Sequence, residues 1–175
     1  MSPLFTLPRA MAALLAVSVG MLLQASVFSH LAVQGVVPDL VLLVVVAAGL
    51  AYGSELGLVL GFAAGVALDL APPADHTAGR WALALVIVGY VAGRVHQEQK
   101  ATATAVVATV AVSSFVGTSV FALTGILLEE PVLDVTALLQ VILVAVLWDV
   151  LLTPFVLPPL MGMFRRIEPD RVPVG

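Results

Sequence analysis

Long apolar segments that contain almost no charge are the feature of this sequence that most limits its fold. Glu55 is the single charged residue between Asp39 and Asp69 in the segment of residues 37–70, VPDLVLLVVVAAGLAYGSELGLVLGFAAGVALDL. The chain of 175 residues is 61% hydrophobic and 10% charged, with a mean hydropathy of +1.15. Soluble domains carry about 25% charged residues, so this chain lacks the charge to cover a water-facing surface. It is expected to be an all-α membrane protein, with residues 1–175 forming a single transmembrane domain.

Six apolar segments predict membrane helices, since a span takes about 20 apolar residues. They lie at about residues 9–28, 39–53, 55–70, 79–95, 101–128 and 136–163. The first segment is longer than the apolar region of a signal peptide, which is about 7–15 residues. We therefore count it as the first span.

Residues 39–70 are divided into two short helices for two reasons. A single helix would be about 48 Å long at 1.5 Å per residue, which is too long for one span. It would also bury Glu55 near the middle of the bilayer, where a charge is costly. Two helices that meet at residues 53–55 avoid both problems.

The distribution of basic residues supports six spans with both termini in the cytoplasm, because cytoplasmic loops carry an excess of Lys and Arg. In this topology the outside holds only Arg80. The basic residues that then lie inside are Arg9, Arg94, Lys100, Arg165, Arg166 and Arg171. Fusing the second and third helices would move most of these to the outside and violate the rule.

Glycine recurs every fourth residue in the third predicted helix, at Gly57, Gly61 and Gly65, with Phe62 beside it. Glycine costs about 1 kcal/mol relative to alanine in a helix interior, so a compensating interaction is expected. Small residues at this spacing allow helices to approach closely in lipid. Three interpretations stay open: packing within the chain, docking of a partner's helix, or lining of a permeation path.

Four residues are candidates for a polar role within the membrane. Asp39, after Pro38, is placed to cap the second helix, because the first N–H groups of a helix lack partners. Asp69 ends the third helix, where it would meet water, a neighbouring backbone N–H or a shared site. Asp149 lies about half-way along the sixth helix, where an ionisable residue is a functional hypothesis by default. It would be protonated, pair with a Ser or Thr of the fifth helix, contact a partner, or relay protons or a solute.

The sequence shows no pattern of residues for catalysis. It has no cysteine, and His30, His76 and His96 have no histidine four residues away. It has no phosphate-binding loop, H-E-x-x-H or G-x-S-x-G motif. The net charge is −4 and no basic patch is present, which excludes a nucleic-acid role. We therefore predict no catalytic residue, no cofactor, no metal site and no nucleic-acid partner.

Nearly the whole chain resembles the MreD family of rod shape-determining proteins, and the motifs that carry the resemblance lie in the second to fourth segments. The family pattern is a proline-led second helix, then G-F-x-x-G-x-x-x-D at the end of the third, then a glycine loop and a helix ending near G-Y. The matching residues here are Pro38, Gly61, Phe62, Gly65, Asp69, Gly79, Gly89 and Tyr90.

The resemblance implies a non-enzymatic membrane scaffold of the bacterial cell-wall elongation complex, located in the cytoplasmic membrane. Its implied partners are a bitopic MreC-like protein, together with an MreB-like filament protein, a SEDS glycosyltransferase and a class B penicillin-binding protein. Membrane lipid is a further expected partner, because anionic lipid attracts cytoplasmic basic residues such as Arg94, Lys100, Arg165 and Arg166. Family members are also similar in fold to the substrate-binding subunits of energy-coupling-factor vitamin transporters. A transporter subunit is therefore the alternative function, and it would need a polar and aromatic pocket near the outer face.

Overall fold

The computed structural model describes residues 7–72, 77–98, 102–129 and 134–167. These residues form six α-helices, which confirms the all-α class. The helices are α1 (Leu7–Ser26), α2 (Leu40–Tyr52), α3 (Ser54–Leu70), α4 (Arg80–Glu98), α5 (Ala103–Leu127) and α6 (Val135–Arg166). A short 3₁₀ helix, Phe28–Leu31, follows α1. Lys100 and Arg171, used in the topology prediction, lie outside the described residues, as does His76.

Helix α2 is the centre of the bundle. Its sequence, LVLLVVVAAGLAY, is apolar on every side, and every residue from Leu40 to Ala51 is buried. A helix that is apolar all round is buried rather than amphipathic. The other five helices all pack against α2.

The break between α2 and α3 lies at Gly53, which has a φ of 90°. This left-handed conformation is strained for residues with a Cβ, so glycine suits the turn. The Gly53 N–H donates to the Gly49 carbonyl oxygen, and the Gly57 N–H donates to the Gly53 carbonyl oxygen. Helix α2 therefore ends and α3 begins with one residue between them.

The beginning of α1 and the ends of α2 and α6 lie at the same end of the bundle. The Tyr52 hydroxyl, at the end of α2, donates a hydrogen bond of 2.7 Å to the Phe164 carbonyl oxygen in the last turns of α6. The Arg9 guanidinium, in α1, lies 5.1 Å from the centre of the Tyr52 ring. The described chain thus begins and ends on one side of the bundle.

Among the described residues, three helices are long and apolar enough to cross a membrane: α1, α5 and α6. Helix α2 is apolar but shorter. These helices are those of a membrane protein. The count of six spans and the cytoplasmic location of the termini stay predictions.

Candidate functional site

Asp149 connects three helices in the interior of the bundle. It lies near the middle of α6 and is 1% exposed. Its Oδ1 accepts a hydrogen bond of 3.0 Å from the backbone N–H of Asp39, and its Oδ2 accepts one of 2.6 Å from the Ser114 hydroxyl on α5. Of the interpretations considered from the sequence, the structure shows the pairing with a serine of the fifth helix. The backbone contact to the start of α2 was not predicted.

The start of α2 is capped by side chains from three parts of the chain. The Asp39 carboxylate accepts from the Leu42 N–H at 2.9 Å, as the sequence predicted for a cap. Gln24 of α1 accepts from the Val41 N–H at 3.4 Å, and Asp149 accepts from the Asp39 N–H. The N-terminus of a helix carries a partial positive charge, which favours carboxylates at this position.

The depth of this cap follows from its partners. Because Asp149 lies half-way along α6, α2 begins in the interior of the bundle rather than at its end. Pro38, just before the cap, is buried and has no N–H that would need a partner there. Backbone groups buried away from water must find their hydrogen-bond partners within the protein, and these side chains provide them.

Asp69 caps a second helix in the same manner, from outside that helix. It is 3% exposed, and its carboxylate accepts from the N–H groups of Gly79, Trp81 and Ala82 at 2.8, 3.1 and 3.0 Å. These groups belong to the start of α4. Gly79, at the position where a capping side chain would stand, has none and has a φ of 103°. Asp69 of α3 therefore supplies the cap that α4 lacks.

The glycines of α3 lie on the same face as Asp69, and this face packs against α4. A Cβ built at Gly57 would overlap the Gly89 carbonyl oxygen, and one at Gly61 would overlap the Leu85 carbonyl oxygen. At Gly65 it would lie 2.5 Å from the Trp81 carbonyl oxygen. The packing lies within the chain. Helix α4 covers this face, so it is not available to a partner's helix or to a permeation path.

Phe62 does not belong to the glycine face. It is 57% exposed and projects from α3 away from the α4 contact. Its place beside Gly61 in sequence gives it a different direction, because neighbouring residues in a helix are about 100° apart. The structure thus brings Pro38, Asp39 and Asp149 together, places Asp69 with the three glycines, and leaves Phe62 at the surface.

The sequence reasoning missed Gln24. The signal was present, because Gln24 is a polar residue within an otherwise apolar segment. The sequence predicted a Ser or Thr of the fifth helix as a partner of Asp149 but did not identify Ser114. Its role as a donor to Asp149 depends on the way α5 packs against α6, which residue type alone does not indicate.

The described part of the chain contains no group of three His, Asp or Glu side chains close enough to hold a metal ion. Among the described residues, the buried carboxylates Asp69 and Asp149 accept hydrogen bonds mainly from backbone N–H groups. This arrangement holds helices at fixed depth and separation.

The helical bundle and its capping carboxylates define a helical membrane protein whose buried polar residues hold its own helices together. The family model for the rod shape-determining protein MreD matches residues 6–164. The chain therefore belongs to the MreD family, whose role is rod shape determination. Comparison with curated proteins gave no match, and comparison with solved structures gave none either.

Proposed function

We propose that this chain is a non-enzymatic scaffold of the cell-wall elongation complex in the bacterial cytoplasmic membrane. In this role it binds a bitopic MreC-like protein. Through that protein it is coupled to an MreB-like filament protein, a SEDS glycosyltransferase and a class B penicillin-binding protein. The protein spans the membrane six times with both termini in the cytoplasm.

The hydrogen-bond partners of the buried carboxylates give the scaffold function its most direct support. A catalytic or transport carboxylate must reach a substrate, whereas Asp69 and Asp149 point at the first N–H groups of α4 and α2. Among the described residues, the buried polar contacts thus join parts of the same chain. A rigid helical body with apolar outer faces is suited to binding other membrane helices.

The transporter alternative has less support from the cavities. Three cavities of about 240, 420 and 650 Å³ lie between helices and are lined almost entirely by apolar side chains. The charged residues lining them, Arg9 and Arg165, lie at the end of the bundle opposite to the cap of α4. At the other end, Trp81 stacks on Phe121 with ring centres 4.4 Å apart. That aromatic pair packs within the protein.

Co-purification with the natural partners tests the proposal. The tagged chain is extracted from its native membrane in mild detergent, and the associated proteins are identified by mass spectrometry. We expect a bitopic periplasmic coiled-coil protein together with wall-synthesis enzymes. Recovery of an ATPase pair with a second polytopic subunit would instead establish the transporter.

Photo-crosslinking locates the partner. Since α4 covers the glycine face, the exposed Phe62 is the remaining partner candidate on α3. A photoreactive residue at Phe62 is compared with one at Leu123 of α5, because the two side chains are 57% and 58% exposed. We expect the bitopic protein to be crosslinked from position 62 and not from position 123. Equal crosslinking at both positions would contradict a contact at Phe62 and leave the co-purification result unaffected.

A further inference from the structure

Arg9 is a buried cation that pairs with no carboxylate among the described residues. It lies in the first turn of α1 and is 9% exposed. Its Nε is buried and has no hydrogen-bond partner in the part of the chain that the structure describes. The Tyr52 ring, 5.1 Å from the guanidinium carbon, offers a cation–π contact but no full charge. A buried charge is costly unless it is paired, and the described residues offer the Nε of this guanidinium no partner, so a bound anion would stabilise it.

Arg9 also lines the cavity of about 240 Å³ between α1 and α3. The other lining residues are nearly all apolar, and many are small. They include Ala10, Ala13, Leu14, Leu60, Ala63 and Ala67. The small side chains leave room between the two helices, and Ser18 is the other polar residue of the lining. An apolar cavity with a cation at one end matches an elongated amphipathic molecule that carries one anionic group.

The position of Arg9 relative to the bundle agrees with such a molecule. Arg9 lies beside Tyr52, and the Tyr52 hydroxyl donates a hydrogen bond to the Phe164 carbonyl oxygen. Arg165 and Arg166 follow Phe164 directly in the sequence. The cavity therefore extends from the end of the bundle that carries the basic residues of α6 toward its interior. A lipid of that leaflet would place its phosphate at the end and its chain along the helices.

We propose that the cavity between α1 and α3 binds an anionic phospholipid. The lipid phosphate pairs with the Arg9 guanidinium, and one acyl chain lies against the small residues of α1 and α3. The phosphate supplies a counter-charge that the described residues do not offer Arg9, and the acyl chain fills the space that the alanines leave. This site is separate from the two carboxylate caps.

Lipid retention tests the proposal on the full chain. The protein is reconstituted in vesicles of equal phosphatidylglycerol and phosphatidylethanolamine with identical acyl chains. It is then extracted in mild detergent, and bound lipid is measured by native mass spectrometry. We expect retained phosphatidylglycerol to exceed phosphatidylethanolamine. R9Q should lower that ratio about fivefold, the effect of one arginine near anionic lipid, whereas R9K should largely keep it. The control R166Q removes an exposed arginine at the same end of the bundle and should lower the ratio much less, because Arg166 does not line the cavity.

A second variant tests the cavity independently of the charge. Ala63 lines the cavity and is exposed, so A63L narrows the cavity without entering the core. It should also reduce retained phosphatidylglycerol, whereas A108L, at an exposed position of α5, should not. Equal retention by the wild type and R9Q would overturn the proposal. So would normal retention by A63L, because the lipid would then be held at the surface only. A co-purified polypeptide in place of lipid would overturn it as well. If R9Q does not fold, the phosphatidylglycerol retained by R9K and A63L tests the proposal instead.

Discussion

The Asp149 carboxylate accepts a hydrogen bond of 3.0 Å from the backbone N–H of Asp39, which lies 110 residues earlier in the chain. This contact fixes the start of α2 at the middle of α6. It also gives a structural role to the ionisable residue for which the sequence left several interpretations open. Its consequences for stability and for activity can be separated by substitution.

Removing both acceptor atoms of Asp149 should destabilise the protein. In D149A the Asp39 N–H is left buried without an acceptor, and an unsatisfied buried group costs about 1–3 kcal/mol. D149N keeps an acceptor oxygen and should lose less. Thermal unfolding in detergent measures both, with Glu55→Gln as the matched change of carboxylate to amide at an exposed position. A proton relay predicts a different result: D149N would fold normally and fail to support rod shape.

Two adjacent serines of α5 should respond in opposite ways. Ser113 and Ser114 are both 0% exposed, but only Ser114 donates to Asp149, and the Ser113 hydroxyl has no partner among the described residues. S114A should cost about 1–3 kcal/mol, because it leaves an oxygen of the buried Asp149 side chain without its donor. S113A should be neutral or stabilising, since it removes a buried unpaired hydroxyl. Equal effects in unfolding experiments would mean that the Ser114 contact contributes nothing.

Loss of the Asp69 carboxylate should affect the start of α4 locally. D69A leaves three N–H groups without their acceptor, and loss of a helix cap costs about 0.5–2 kcal/mol. Hydrogen exchange should become faster at the Trp81 and Ala82 amides. D134A, which removes the cap on the Ala137 N–H of α6, is the control and should speed exchange there instead. Unchanged protection of Trp81 in D69A would contradict capping by α3.

Two glycine-to-alanine substitutions should have opposite signs. At Gly61 a Cβ meets the Leu85 backbone, so G61A must separate α3 from α4, and overpacking of this kind costs about 1–3 kcal/mol. At Gly162 of α6 no atom lies within 4 Å of a built Cβ. G162A should therefore stabilise the protein by up to about 1 kcal/mol through helix propensity. Unfolding midpoints of the two variants decide the matter, and destabilisation by both would point to a backbone effect unrelated to the α3–α4 contact.

Filling of the cavity between α1 and α3 should not depend on any protein partner. R9Q is expected to reduce bound anionic lipid while recovery of the bitopic partner in co-purification stays unchanged. Parallel loss of lipid and partner would show that the two share one surface.

The sequence alone determined that this protein belongs in a membrane and which of its segments form helices there. Few charges and long apolar segments allow only buried or lipid-facing helices, and the glycine at position 53 divides a segment too long for one helix. Spacing also determined that Gly57, Gly61, Gly65 and Asp69 share a face, because residues four apart in a helix lie one above the other.

Only the tertiary structure decided what covers each face. Helical spacing identifies a small-residue face but not the helix that packs on it, so the choice of α4 over a partner came from the bundle. The same holds for Asp149. Its contacts to Ser114 and Asp39 lie 35 and 110 residues away in the chain. Such contacts depend on the depth at which α2 begins, and that depth is set by the packing of all the helices around it.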